Sequence, residues 1–303
     1  MEQGQLSWTA IISAMMRAAH LLWDDDPKIL RDELALPYSG LENETALRTA
    51  LQALRSQGTR RVTPGFGQFF FRSLRAIMTV RNRYAEDELA LAIQRGIRQY
   101  VLLGAGLDSF AYRRRDLSGM LHVFEVDHPA MQEWKRARLG KLQVTVPDNL
   151  TFVPVDFENQ TLRDALSAAG FRANEPAFFS WLGVTEYLTE EATLETLQEI
   201  ASLAPGSEIV FQYSVPEEQL DGEERQYLAG CKAKSAEHGE PWLSFFEPSS
   251  LMTRVKELGF TEVTDLSPEA INMRYFSDRS DGLCSPQAHH LVKARVGGGD
   301  AIP

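Results

Sequence analysis

Three short stretches of this chain end in residue types that could hold a ligand along one edge of a sheet. Tyr100-Val-Leu-Leu-Gly-Ala-Gly-Leu-Asp108 is an apolar run that enters a Gly-x-Gly turn at Gly104, Ala105 and Gly106. Glycine allows both the sharp turn and the close backbone approach that a bound cofactor requires. Val123-Phe-Glu-Val-Asp127 is a second apolar run, and its terminal acid stands 21 residues after Gly106. A carboxylate at the end of the next strand can accept hydrogen bonds from both hydroxyls of a ribose. Asp127 could equally cap a helix opened by Pro129. Phe152-Val-Pro-Val155 then leads into Asp156-Phe157. There a carboxylate could accept the exocyclic amine of adenine while the following apolar side chain packs on the ring.

The pattern argues against a pyrophosphate. The third glycine of a dinucleotide fingerprint is absent, because Ser109 occupies its place. Asp108 would also point a carboxylate toward the helix N-terminus that a phosphate would need. Glycine turn, ribose acid and adenine acid together describe adenosine without phosphate, and so point to S-adenosyl-L-methionine. No histidine stands out as a base. His128 reads as turn support, His238 as exposed and His20 as helix packing or a cofactor neighbour. His122, His289 and His290 read as structural, so the catalytic residue stays unassigned and a carboxylate acceptor, which needs no base, is mildly favoured. Asp24-Asp-Asp26 before Pro27 reads as a solvated helix start, and no metal is expected.

Composition bounds the rest. The chain has 303 residues, 44% of them hydrophobic, enough for a large core. With 31 basic and 42 acidic residues it carries a net charge of −11, which disfavours nucleic acid or an anionic membrane as partner. Cys231 and Cys284 show neither CxxC nor zinc spacing, as expected in a reducing cytoplasm. No signal peptide is read at the N-terminus, and no run of about 18 apolar residues suggests a membrane span. The expected partner is a small-molecule acceptor, and the oligomeric state, self-association included, is left open.

Those residues need elements to place them. Residues 1–98 read as a helical N-terminal cover, with helices over Trp8–Leu22 and Phe66–Ile97 and a helix opened by Pro27. From residue 99 to 296, β-rich runs alternate with helical ones, which predicts an α/β fold. Strands are expected at 100–104, 121–127, 150–156, 177–182, 208–213, 261–266 and 290–296. Helices are expected at 108–117, 129–142, 160–169 and 190–203. This is a Rossmann-like, seven-stranded, mostly parallel sheet with helices on both faces. Residues 216–248 break the rhythm and read as an inserted lid, in which Trp242, Phe245 and Phe246, with Tyr187, could line an acceptor pocket. Residues 297–303 read as a disordered tail.

Several motifs in order resemble one family. They are Tyr100 to Arg113, Phe124-Glu-Val-Asp-His-Pro129, Val153-Pro-Val-Asp-Phe157 and Phe179-Ser-Trp-Leu-Gly-Val-Thr-Glu-Tyr-Leu188. Gly239-Glu-Pro-Trp242 and Arg274-Tyr275 with Arg279-Ser-Asp-Gly-Leu283 extend the likeness over roughly residues 8–296. The chain resembles a bacterial subgroup of the leucine carboxyl methyltransferase-like family, a branch of the class I S-adenosylmethionine-dependent methyltransferases. The resemblance implies an O-methyltransferase acting on a small secondary metabolite, with Gly104 to Gly106, Asp127, Asp156 and Phe157 binding the cofactor. It also implies that Arg81 faces the cofactor's carboxylate, with Arg83 as near competitor. One departure stands out: Leu182 replaces the glutamate that many members carry after the fourth strand. That departure keeps a catalytically inactive, cofactor-binding interaction protein in play, and a nicotinamide-dependent oxidoreductase is the other alternative.

Overall fold

The computed structural model describes residues 7–58, 65–156 and 160–297. Phe157 and residues 298–303 of the expected tail lie outside the described residues. Four helices come first: α1 (Trp8–Trp23), α2 (Ala35–Tyr38), α3 (Glu44–Gly58) and α4 (Phe66–Gln94). The Ser7 hydroxyl starts α1 by accepting the Ala10 N–H at 3.1 Å. Pro27 opens no helix, contrary to expectation; residues 24–34 form a loop tied down by its own side chains. His20 and Asp24 pair across it at 2.9 Å, Arg75 holds Asp24, and His20 Nε2 accepts the Ile29 N–H. The acidic run thus closes a loop, with Asp24 engaged by a cation.

The sheet is built from β1 (Gln99–Leu103), β2 (His122–Asp127), β3 (Leu150–Pro154), β4 (Ala177–Trp181), β5 (Glu208–Ser214), β6 (Phe260–Leu266) and β7 (His289–Val296). Their order is β3-β2-β1-β4-β5-β7-β6. The first five strands run parallel and β7 lies antiparallel between β5 and β6. Strands β1, β4 and β5 are buried along their whole length, which explains their continuous apolar runs. One core layer holds Val101, Phe124, Phe179 and Phe211, and the other holds Tyr100, Val123, Phe178 and Val210. Alternate residues of each strand therefore feed opposite layers.

Helices α5 (Phe110–Arg113), α6 (Pro129–Lys141), α7 (Leu162–Ala168) and α8 (Glu190–Ala201) connect the parallel strands. The helix expected over 108–117 is cut to one turn plus a 3₁₀ turn at Arg115–Leu117. Asp108 causes this, since its carboxylate folds back onto the Phe110 N–H at 2.7 Å and accepts Asn82 Nδ2 at 2.8 Å. His128, not Asp127, caps α6, ahead of Pro129 at the first turn. After β5 come α9 (Gly222–Glu237), an extended segment and α10 (Pro248–Glu257), and α11 (Pro268–Tyr275) precedes β7. Strand order reverses between β1 and β4, so the crevice at their carboxyl ends is where such sheets bind ligands.

Candidate functional site

The glycine turn sits at that crevice. Gly104 has φ +66° and Gly106 φ +47°, both left-handed. A Cβ on Gly104 would meet Val184 Cγ2 at 2.5 Å, so glycine is required there on two grounds. The Gly106 N–H donates to Asp127 Oδ2 at 2.5 Å, and the His128 N–H donates to Oδ1 at 2.7 Å. Turn and strand-end acid are therefore one unit, and burial holds the Asp127 pKa above the usual carboxylate range. Beneath it, Lys135 Nζ on α6 bonds the Asp108 carbonyl and Glu125 Oε2, each at 2.7 Å. Burial pushes the Glu125 pKa up to about 7 against the pull of Lys135. Asp156 follows β3, and its carbonyl accepts the Gln160 N–H at 2.9 Å.

Arg81 reaches the same crevice from α4. Its Nη1 donates to Gln212 Oε1 at 3.0 Å and its Nη2 to Ser13 Oγ at 3.1 Å. The guanidinium lies against Gly183, in the turn after β4, where φ is +70°. Burial lowers the Arg81 pKa to about 10, with Glu186 opposing. Among the described residues its buried Nε has no hydrogen-bond partner. An orphaned donor on a buried cation is the feature expected where an anionic ligand group completes the site. The carboxylate of a methionine-bearing cofactor fits it. Arg83 instead pairs with Asp87 on the outer face of α4.

Next to Arg81 lies a polar group that single residues in the sequence did not reveal. Glu186, in the 3₁₀ turn Thr185–Tyr187, accepts Gln212 Nε2 at 3.1 Å and Ser214 Oγ at 3.0 Å. Ser214 Oγ lies 2.9 Å from His289 Nδ1, and His289 Nε2 lies 3.3 Å from the Tyr227 hydroxyl. Burial raises the Glu186 pKa, whereas it lowers that of His289 to about 3, with Arg81 adding to the second effect. His289, read as structural from the sequence, thus lies in this cluster. Two signals were available: an acid inside an otherwise apolar motif, and a histidine pair opening a strand.

The segment after α9 closes over this edge. Its backbone is bonded to the strand ends, with the Leu243 N–H on the Glu186 carbonyl at 2.6 Å and the Phe246 N–H on that of Ser214 at 2.9 Å. Trp242 meets Tyr187 edge-on at 6.3 Å between ring centroids, lies 6.2 Å from Phe245, and contacts His289 at 5.9 Å. Trp242 Nε1 and the Tyr187 hydroxyl both bond Ser235 Oγ. Tyr187, Trp242 and Phe245 are therefore together, while Phe246 packs away from them against Tyr213. The N-terminal helix joins the same wall, since Trp8 stacks on His238 at 4.2 Å and the Thr9 N–H donates to Glu240 at 3.1 Å. Among the described residues no group of three or more His, Cys, Asp or Glu side chains could hold a metal, and no helix is long and apolar enough to cross a membrane.

Known proteins resemble the chain along its length. The model of the leucine carboxyl methyltransferase family matches residues 10–201. YktD of Bacillus subtilis, named as an S-adenosyl-L-methionine-dependent methyltransferase, is 31% identical over 97% of this chain and 99% of its own. A Thermobifida fusca crystal structure described as a methyltransferase matches with TM-score 0.58 and 18% identity, over 98% of this chain and 97% of that one. A DUF574 family protein from Streptomyces avermitilis matches with TM-score 0.56 and 13% identity, over 97% and 98%. At such identities the two structures share the fold.

Proposed function

Because the chain belongs to the leucine carboxyl methyltransferase family and is an S-adenosylmethionine-dependent methyltransferase, we propose that it methylates an oxygen of a small-molecule acceptor. Family membership replaces the oxidoreductase and the non-enzymatic alternatives. The observation that carries the proposal is the Gly106–Asp127 unit sharing one sheet edge with Arg81 and the Tyr187–Trp242 wall.

When bound, S-adenosylmethionine supplies a methyl group already activated on a sulfonium, so the protein's work is orientation and exclusion of water. In this reading the backbone of Gly104, Ala105 and Gly106 passes close to the cofactor. Asp127 accepts from the ribose hydroxyls, and Asp156 and Phe157 serve the adenine. Arg81 Nε and its guanidinium neighbours take the carboxylate. Tyr187, Trp242 and Phe245 face the acceptor, and Phe246 supports them from the Tyr213 side. The helices up to residue 98 act as cover, and residues 216–248 act as a wall bonded to the strand ends. A carboxylate was the first choice of acceptor only while no base was in view. The buried Glu186–His289 pair removes that ground, so hydroxyl oxygens are admitted on equal terms. We place the enzyme in the cytoplasm, acting on a secondary metabolite.

Titration calorimetry with S-adenosylhomocysteine tests the cofactor half. Micromolar affinity is expected, weakened at least tenfold in Asp127→Ala. An Asp127→Ala protein that binds as well as the parent would defeat the assignment.

A further inference from the structure

Burying a carboxylate beside an imidazole is costly unless hydrogen bonds satisfy both. The hydrogen bonds around Glu186 do so with a direction. Ser214 owns a single hydroxyl proton, and the Glu186 carboxylate, 3.0 Å away, is the strongest acceptor it can reach. Ser214 Oγ is then free to accept, so His289 Nδ1, 2.9 Å away, carries the proton and donates. Gln212 Nε2 carries two protons: one goes to Glu186, and the other lies 3.3 Å from Nδ1, farther away than Ser214 Oγ. That leaves His289 Nε2 as acceptor for the Tyr227 hydroxyl at 3.3 Å. With the proton on Nδ1, the tautomer in which the 2.9 Å contact to Ser214 is a donation, every link points from Tyr227 through His289 and Ser214 to Glu186. The Tyr227 end lies on α9, buried with its ring among Phe69 and Phe70, and His289 touches Trp242 of the acceptor wall.

We propose that Tyr227, His289, Ser214 and Glu186 form a proton relay that serves a hydroxyl acceptor, so that the substrate is a phenol or alcohol and the product a methyl ether. The inference rests on the methyltransferase reading above. The acceptor proton goes to the Tyr227 oxygen as the Tyr227 proton moves to His289 Nε2. The Nδ1 proton passes to Ser214, and the Ser214 proton to Glu186. An acceptor lone pair forms the new O–C bond, the C–S bond breaks, and its electron pair stays on sulfur. One proton has moved from acceptor to Glu186. Burial suits each member to its part: it makes Glu186 a willing proton acceptor and stops His289 from keeping the proton. Arg81, bonded to the same Gln212 amide, favours the ionised form of Glu186 against the effect of burial. An acid as acceptor would need no relay and would bring a second carboxylate toward Glu186.

Two measurements decide it. In ¹⁵N-histidine-labelled protein saturated with S-adenosylhomocysteine, the His289 signal, identified by its loss in His289→Asn, should show a neutral ring protonated on Nδ1 from pH 5 to 8. An imidazolium, or a proton on Nε2, overturns the relay. Separately, tritiated methyl from S-adenosylmethionine is offered to a small-molecule extract of the source organism. With S-adenosylmethionine held saturating for each protein, the label should become alkali-stable ether and fall about 100- to 10,000-fold in Glu186→Gln. Alkali-labile label released as methanol overturns the hydroxyl assignment but leaves the methyltransferase standing. Ether formation that survives Glu186→Gln overturns the relay alone. Saturable S-adenosylhomocysteine binding with no label transferred rejects the small-molecule reading, and the relay with it.

Discussion

Gly183→Ala tests whether the turn after β4 seats Arg81. The backbone there has φ +70°, which costs an L side chain about 1–2 kcal/mol. The added methyl would also lie 3.0 Å from Cζ and 3.2 Å from Nη2 of Arg81, and nearer still to Nη1. Backbone fixes one side of this contact, so the guanidinium must move off Gln212 Oε1 or Ser13 Oγ. A hydrogen bond to a charged group contributes about 1.5–3 kcal/mol, so losing one brings the total to about 3–5 kcal/mol. With Arg81→Met already present nothing is left to clash, and Gly183→Ala should cost only the conformational part. Urea unfolding of the four proteins in this cycle should therefore give a coupling of about 2–3 kcal/mol. Calorimetry should show Gly183→Ala weakening S-adenosylhomocysteine by about 30- to 150-fold, the same energy read as affinity. Equal costs in both backgrounds, with unchanged affinity, would refute the seating of Arg81 by this turn.

Two further outcomes follow from other parts of the molecule. Glu125 has a folded pKa of about 7 against 4.5 unfolded, so between those values the native state holds more protons. Its contribution to stability should therefore fall as pH rises through that window, by about 3 kcal/mol, and stay level above it. Urea unfolding of the parent and Glu125→Gln at pH 5 and 8 checks this, and a stability difference independent of pH would count against it. Replacing Glu240 with Gln and Trp8 with Ala should loosen the junction of α1 with residues 238–242. Hydrogen exchange at residues 9–11 should speed up while global stability changes by less than about 1 kcal/mol, as for surface contacts. Exchange at the parent rate would mean that the junction does not hold α1.

The strands were legible because burial on both faces forces continuous apolar runs, and turn residues bound them. The expected edge at 100–104 became Gln99–Leu103, and 290–296 became His289–Val296. Placing β7 between β5 and β6 was not legible, since no local pattern encodes which edge a returning strand joins. The helix expected at 108–117 failed for a local reason, the Asp108 carboxylate taking the Phe110 N–H. Pro27 failed because the residues around it bond to one another and to Arg75 rather than to a helix. The Gly104–Gly106 turn and Asp127 were visible because each ends a run, and the chain brings them together through adjacent strands. The cluster of Glu186, Gln212, Ser214, Tyr227 and His289 comes from four separate elements. One at a time, each looks like an ordinary strand or helix residue.

Leu182 shows why that cluster matters. Position 182 is apolar and packs on the layer that holds Leu102 and Phe178. Arg81 nonetheless remains buried and cationic, and a buried cation needs a compensating charge. Glu186 is the acid that Arg81 feels most strongly, and Gln212 joins the two with its carbonyl toward the arginine and its amide toward the acid. The negative charge that Arg81 feels thus sits in the 3₁₀ turn, bonded to Ser214 and beside His289. At residue 186 it also touches the acceptor wall through His289 and Trp242. In the proposed relay this one carboxylate both balances Arg81 and receives the proton during turnover.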